Sequence, residues 1–214
     1  MEQRAGAVAD GLTQPASERS LRSSPSRGCR DTLARYVEAS FATPATPIHE
    51  LRRDELAEIV WRILEVEAPV HRDEIAKRVT GLWGLSHTGA RITGAVDEAL
   101  HLFQSRNRAH AEADFFAIPG RRVVPRDRAG AASASLRKAE YLPPTEIHAA
   151  FRMAVNSNQG IDEERLLVEA LRLLGFKTMG PQVRVVALAQ LQVLCRSNAF
   201  ELRDGRLYLA KQST

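Results

Sequence analysis

Residues 70–92 read VHRDEIAKRVTGLWGLSHTGARI, and most of this pattern returns at residues 161–183 as IDEERLLVEALRLLGFKTMGPQV. Both stretches contain Gly-x-x-x-x-Gly, beginning at Gly84 and at Gly175, which sets an offset of 91 residues. At this offset the apolar positions coincide: Ile75 with Leu166, Val79 with Ala170, Leu82 with Leu173, Leu85 with Phe176, and Ile92 with Val183. A fixed offset of this kind indicates an internal repeat. The sequence therefore predicts one small unit that is used twice.

Apolar spacing around the first copy predicts three helices and a hairpin. An i, i+3, i+4 pattern begins after Asp54, a suitable N-cap, and stops at Pro69. A second helix is predicted over residues 72–83, followed by Gly84, and a third opens at Thr88-Gly89. Aromatic and β-branched residues at 114–118 then predict a strand that closes a hairpin.

The second copy predicts the same order. Pro143-Pro144 opens a helix, Asp162 caps the next, and residues 201–210 form a hairpin around an Asp204-Gly205 turn. The third helix has inward positions at Val183, Val186, Ala187, Leu191 and Leu194. The expected fold class is therefore mainly α with short β-hairpins (α+β), in two tandem winged helix-turn-helix-like units.

The 214 residues divide into four predicted segments. Residues 1–50 form a disordered tail and an extended lead-in with a weak helical patch from Leu33, because residues 1–35 lack apolar periodicity and two Thr-Pro pairs follow. Residues 51–120 form the first unit, 121–141 a flexible basic linker, and 142–211 the second unit. The linker holds six Lys and Arg against two Asp and Glu, whereas residues 51–120 hold nine against eleven. The formal net charge of +4 therefore comes largely from the linker.

Cysteine usage and hydropathy indicate the compartment. Cys29 and Cys195 lie in a polar tail and an apolar helical run, which predicts free thiols in a reducing environment. Neither a secretory signal nor an uncharged apolar stretch long enough to span a membrane is visible. A cytoplasmic protein without membrane partners is expected.

Three groups of motifs carry a resemblance to a known family. They are EVEAPVHRDEIAKRV, GLWGL and TGARI within residues 65–92, LRKAEYLPPTEI at residues 136–147, and RLLGFKTMG at residues 172–180. In these motifs the chain resembles a domain-of-unknown-function family. That family is similar to the C-terminal part of large bacterial superfamily I DNA helicase-like proteins, which also carry an endonuclease domain of the very-short-patch repair type. The resemblance implies a tail without the motor, with helicase or nuclease domains of the same system as partners.

The motifs of catalysis are missing. The two glycine motifs lack the Lys-Ser/Thr of a phosphate-binding loop, so their glycines are better explained as turn residues. Six scattered histidines form no His-Glu-x-x-His or Cys-His cluster, and the acidic residues near helix ends suit the helix dipole. We expect no catalytic residue, no metal and no cofactor.

Basic residues mark the candidate nucleic-acid contacts. The linker bases form the best phosphate-binding candidate, because a flexible basic segment can follow a DNA backbone, although a solvated linker explains them equally well. The starts of the third helices carry further suitable groups. The predicted nucleic-acid-binding residues are His87, Arg91, Arg121, Arg122, Arg126, Arg128, Arg137, Lys138, Lys177, Gln182 and Arg184.

The outer faces of the two third helices differ. In the first unit Asp97 and Glu98 would face phosphates with the wrong sign, which disfavours insertion into a groove. In the second unit the face is apolar and favours a protein partner or self-association over base contact. Its predicted interface residues are Val185, Leu188, Ala189 and Gln192. Two functions therefore stay open: a non-catalytic accessory module that binds DNA mostly without sequence preference, or a protein-interaction or dimerisation module.

Overall fold

The structure is a computed structural model that describes residues 33–210. Its first half contains three helices and four short strands. The elements are β1 (Ala34–Arg35), α1 (Arg53–Glu67), β2 (Val70–His71), α2 (Arg72–Leu82), α3 (Ala90–Ser105), β3 (His110–Glu112) and β4 (Phe115–Ala117). A single 3-10 turn, Ile48–Glu50, precedes α1.

The connector and the second half follow. Their strands and helices are β5 (Arg126–Asp127), α4 (Pro144–Asn158), α5 (Glu163–Leu173), α6 (Pro181–Arg196), β6 (Phe200–Arg203) and β7 (Arg206–Leu209). Two 3-10 turns, Ala134–Arg137 and Ala139–Tyr141, lie between β5 and α4. Helices α4, α5 and α6 each begin and end 91 residues after α1, α2 and α3, so the predicted repeat is confirmed. The α+β class is confirmed as well.

Strand pairing preserves the same offset. In the first half the strands are antiparallel in the order β2-β4-β3, with Val70 opposite Phe116. In the second half β6 and β7 form an antiparallel hairpin, and an isolated bridge joins Ile161 to Leu207. Ile161 and Leu207 lie 91 residues after Val70 and Phe116. Each half therefore places one extended residue before its second helix against the last strand of its hairpin.

Local residue chemistry explains the helix ends. Asp162 caps α5 as predicted, because its carboxylate accepts a hydrogen bond of 2.9 Å from the backbone N–H of Arg165. The predicted N-cap Asp54 is wrong, since α1 begins one residue earlier and its N-cap is Arg52. Gly84 and Gly175 both have positive φ, at 68° and 86°, and each stands two residues beyond a helix end. These equivalent positions need a residue that tolerates the left-handed region.

Each half has its own hydrophobic core. In the first, side chains from all three helices meet, and Val60, Ile63 and Ile75 have no exposed surface. In the second, Phe151, Leu166 and Leu174 are likewise fully buried. Burial of one such side chain contributes about 1.5–3 kcal/mol. The apolar stripes that predicted the helices are thus the faces that stabilise the two halves.

The lead-in and the connector differ from the predictions. The helical patch predicted from Leu33 is wrong, because β1 pairs in parallel with β5, with Ala34 opposite Arg126. The connector is not a loose linker, since it supplies β5 and packs the buried Leu136 against Tyr36. The predicted disordered tail at residues 1–32 lies outside the described residues. Together, β1 and β5 bring the lead-in and the connector to the junction between the halves.

Candidate nucleic-acid interface

Two predicted phosphate contacts, Arg126 and Arg128, lie in the interior. Arg126 is 9% exposed and donates hydrogen bonds of 2.8 Å to the backbone carbonyls of Glu67 and Pro69. Its guanidinium also binds Glu146. Arg128 is 1% exposed, and its Nη1 lies 2.7 Å from Glu146 Oε2. The prediction that both arginines contact phosphate is therefore corrected, because their side chains are buried in the protein.

The extended backbone of β5 explains this placement. Alternate residues of a strand point to the same side, so Arg126 and Arg128 share a face and converge on one carboxylate. That carboxylate, Glu146, is the third residue of α4 and is fully buried. Its counterpart Glu55 is the third residue of α1, yet it accepts a surface hydrogen bond of 2.9 Å from Arg52 N. The same position therefore serves as a helix cap in one half and as a buried counter-ion in the other.

A second buried carboxylate, Glu67, completes the arrangement at the end of α1. It accepts hydrogen bonds from Tyr36 Oη at 2.9 Å and from Arg78 Nε at 2.6 Å. Arg78 also forms an ion pair with Glu38, and the guanidinium groups of Arg126 and Arg128 lie over the Tyr36 ring. We call this set the junction network: Tyr36, Glu38, Glu67, Arg78, Arg126, Arg128 and Glu146.

Burial and neighbouring charges shift the pKa of two members of the junction network, Tyr36 and Arg78. Burial raises the pKa of Tyr36, and the negative charge of Glu67 raises it further, so the hydroxyl keeps the proton that it donates. Burial alone would lower the pKa of Arg78, but hydrogen bonding to Glu67 and the charges of Glu67 and Glu38 raise it. Arg78 therefore remains a cation between two carboxylates. The network joins the lead-in, both halves and the connector.

The other basic residues of the connector stay at the surface. Arg121, Arg122, Arg137 and Lys138 are all exposed. Two of them also make backbone contacts: Arg121 donates to Glu65 O at 2.7 Å, and Arg137 donates to Ala131 O at 2.6 Å. These four side chains remain accessible to a phosphate backbone.

In the first half, charged side chains on and around α3 are engaged with one another. His87 and Arg91 are exposed, but Arg91 donates a hydrogen bond of 2.9 Å to His49 O. Glu98 lies 3.5 Å from Arg53, and Asp97 lies 3.6 Å from Arg72. The acidic character expected for the outer face of α3 is present in the structure.

In the second half, the outer face of α6 is open. Gln182, Val185, Ala189 and Gln192 are exposed, and Val185 keeps 66% of its surface. Leu188, predicted to lie at a partner interface, is instead half-buried against the second core. That correction follows from its position on the helix, which turns it toward the core rather than outward. The outer face of α6 thus combines polar and apolar side chains, and Val193 beside it keeps 45% of its surface exposed.

Basic groups flank α6 at both ends. Lys177 is exposed in the turn before the helix. Arg184 is half-buried and lies 2.6 Å from Glu164, so its charge is already paired. The sequence prediction missed Arg206, an exposed residue of the β6–β7 hairpin. The Asp204-Gly205 turn beside it was the available signal, because a turn projects its neighbouring side chains into solvent.

Metal-ligand clusters and membrane-spanning helices are absent from residues 33–210. No group of three or more His, Cys, Asp or Glu side chains is placed to hold a metal ion there. Within the same residues, none of the helices combines the length and apolar character needed to cross a membrane. Cys195 is an exposed free thiol whose pKa is raised by partial burial and by Glu163.

Comparison with known proteins gives one match. Residues 47–94 match a family model described as "Protein of unknown function (DUF3320)". The matched segment covers α1, β2, α2 and the first residues of α3. Neither the curated proteins nor the solved structures contain a match to the chain. The first two helices and the start of the third are therefore similar to a protein family of unknown function.

Proposed function

We propose that the chain is a non-catalytic accessory module of a helicase-like protein and that it binds duplex DNA mainly through backbone contacts. Both halves would be winged-helix units. The helicase context rests on the sequence resemblance, and the family matched by residues 47–94 has no assigned activity.

The order of elements carries the proposal. In the first half a helix, a strand, two helices and a hairpin follow one another, with the first strand paired to the last. The second half repeats this order, with the Ile161–Leu207 bridge in place of the first strand. Winged-helix proteins use such a scaffold to present a third helix to the major groove and a hairpin to the backbone.

Charge distribution favours the second half as the DNA-binding one. Residues 175–210 hold five Lys and Arg against two Asp and Glu, whereas the equivalent residues 84–119 hold three against four. Helix α6 contains no carboxylate at all. A phosphate backbone attracts the net positive residues 175–210 and repels the net negative residues 84–119. Arg121, Arg122 and Lys138 of the connector are further exposed basic side chains.

Salt-titrated binding to a short duplex tests the proposal. Neutralisation of about four phosphates gives a log–log slope near −3.6, and Lys177→Ala or Arg206→Ala should each flatten it by about 0.9. Arg106→Ala is the matched control, because Arg106 is exposed at the end of α3 in the acidic half and should leave the slope unchanged. Absence of binding at low salt, measured by fluorescence anisotropy, would refute DNA binding.

A protein-interaction module is the second candidate. The observation in its favour is the exposure of Val185 (66%) and Val193 (45%) on α6. Such side chains are candidates for burial against a partner or a second copy of the chain. Sedimentation analysis separates this function from DNA binding: a dimer that Val185→Asp converts to a folded monomer supports it, and a monomer at all concentrations excludes self-association.

A further inference from the structure

The exposed face of α6 has a regular composition. Counted from Gln182, exposed positions follow at i+3, i+7 and i+10, which places them in one line along the first three turns of the helix. The exposed Arg196 stands one turn beyond this line, and the exposed Val193 stands beside it. The line spans roughly 15 Å at 1.5 Å per residue. The opposite side holds the buried Ala187, Leu191 and Leu194. We call the exposed line the α6 stripe: Gln182, Val185, Ala189 and Gln192.

From this stripe we infer that α6 recognises A·T base pairs in the major groove, an inference that rests on the proposed DNA binding. A glutamine side chain can pair with adenine in a bidentate manner, because its NH2 donates to N7 and its Oε1 accepts from the exocyclic N6 amine. Small apolar side chains such as Val185 and Ala189 suit the thymine methyl group. Between Gln182 and Gln192 the stripe contains no Arg or Lys, the usual partners of guanine, and no Asp or Glu, which accept from cytosine. The exposed Arg196 follows one turn later, at the end of the helix.

The rest of α6 supports this assignment. The helix has a third glutamine, Gln190, but it is half-buried and lies 2.9 Å from His148, so its amide is engaged inside the fold. Gln182 and Gln192 are the two that face outward. Glycine and alanine-sized groups along a helix allow close approach to base edges, and Ala189 occupies the middle of the stripe.

DNA suits the stripe better than a protein partner does. Amides stand at both ends of the stripe, whereas the core of a protein interface is enriched in aromatic side chains, Met and Arg. The surrounding surface is positive, with Lys177 before the helix and Arg206 in the hairpin. The equivalent positions of α3 are Arg91, Gly94, Glu98 and His101, and Glu98, which lies 3.5 Å from Arg53, places on α3 a carboxylate that the α6 stripe lacks. Recognition is thereby confined to the second half.

Modified duplexes test the inference directly. Affinities are measured for A·T-rich and G·C-rich duplexes, and for A·T-rich duplexes with 7-deazaadenine in place of adenine or uracil in place of thymine. We expect tighter binding to A·T-rich DNA, loss with 7-deazaadenine, and loss with uracil, because each change removes a major-groove group. Uracil should cause a smaller loss in Val185→Gly, which lacks one of the two side chains proposed to contact the thymine methyl group.

Substitution of the glutamines gives the matching protein arm. Gln182→Ala and Gln192→Ala should each weaken A·T-rich binding about tenfold, the discrimination expected of a lost bidentate pair. Affinity for G·C-rich DNA and the salt slope should stay as in the unmodified chain. His101→Ala is the matched control, since His101 is exposed at the α3 position equivalent to Gln192. Both glutamines are exposed, so circular dichroism should show an unchanged fold.

The outcomes separate the inference from the proposed function. Equal, salt-dependent affinity for A·T-rich and G·C-rich duplexes overturns base recognition and leaves backbone binding intact. Preference for A·T-rich DNA that survives uracil and 7-deazaadenine also overturns it, because the minor groove would then be the site. Absence of binding to every duplex at low salt overturns both. A dimer that Val185→Asp dissociates, without DNA binding, assigns the stripe to a second copy of the chain.

Discussion

Glu146→Ala should lower the free energy of unfolding by about 3–5 kcal/mol, the usual loss when one partner of a buried ion pair is removed. Glu146 is fully buried between Arg126 and Arg128, which are themselves 9% and 1% exposed. Without the carboxylate, two guanidinium groups remain in the interior with backbone carbonyls as their acceptors. Urea denaturation followed by circular dichroism measures the change.

Glu55→Ala is the matched control for that experiment. Glu55 holds the same position of α1, 91 residues earlier, but it is exposed and accepts its hydrogen bond from Arg52 N. Its removal costs only part of a helix cap, about 0.5–1 kcal/mol. If the two variants lose the same stability, Glu146 acts merely as a helix-start residue and the junction network contributes nothing through its buried charges.

Gly175→Ala is the second substitution with a large expected effect, a loss of about 2–5 kcal/mol in the free energy of unfolding. Gly175 has φ 86°, where an L residue is strained by about 1–2 kcal/mol. A Cβ there would also stand 2.2 Å from Asp127 Oδ1, 2.5 Å from Ala129 N and 2.6 Å from Arg128 N. Relief of such contacts must move the β5 backbone, and overpacking of this kind costs a further 1–3 kcal/mol or so.

The matched control is Gly84→Ala in the first half. Gly84 has φ 68°, and a Cβ there would meet no heavy atom within 4 Å. Only the backbone strain remains, so a loss of about 1–2 kcal/mol is expected. Thermal denaturation of the two variants compares them. Equal losses of stability in the two variants would show that the backbone around β5 does not pack tightly against the turn after α5.

Periodicity explains why the helices and hairpins could be predicted from the sequence. Each helix carries an apolar stripe of its own, and each turn carries its signal locally, as in Gly84, Asp162 or Asp204-Gly205. These features depend on residues a few positions apart. The repeat also allowed every element to be predicted twice. In the structure, α4 to α6 match α1 to α3 in length.

The junction network could not be predicted by the same reasoning. β1 and β5 pair across about ninety residues, with Ala34 opposite Arg126, and no local pattern encodes such a partner. Basic residues are rarely buried unless they are paired, so a basic segment predicts a solvated surface by default. Glu146, at the start of a helix, similarly predicts a dipole contact. Burial of these charges depends on tertiary pairing alone.

The outer face of α6 was predicted in part. The exposure of Val185, Ala189 and Gln192 follows from helical spacing and agrees with the structure. Leu188 was placed on the same face, because a helix that is apolar on two sides does not reveal which residues its core takes. The exposure of Arg206 depends on the direction in which the β6–β7 hairpin projects. The spacing of residues in the sequence does not specify that direction.

The junction network also determines where this chain can be divided. A fragment that began at residue 142 would keep Glu146 and lose both of its arginines, whereas a fragment that ended at residue 120 would keep Glu67 and lose Arg126. Either cut separates a buried acidic group or a backbone acceptor from the arginine that contacts it in the intact chain. The two copies have therefore become non-interchangeable, and a single cooperative unfolding transition is the natural behaviour of the intact molecule.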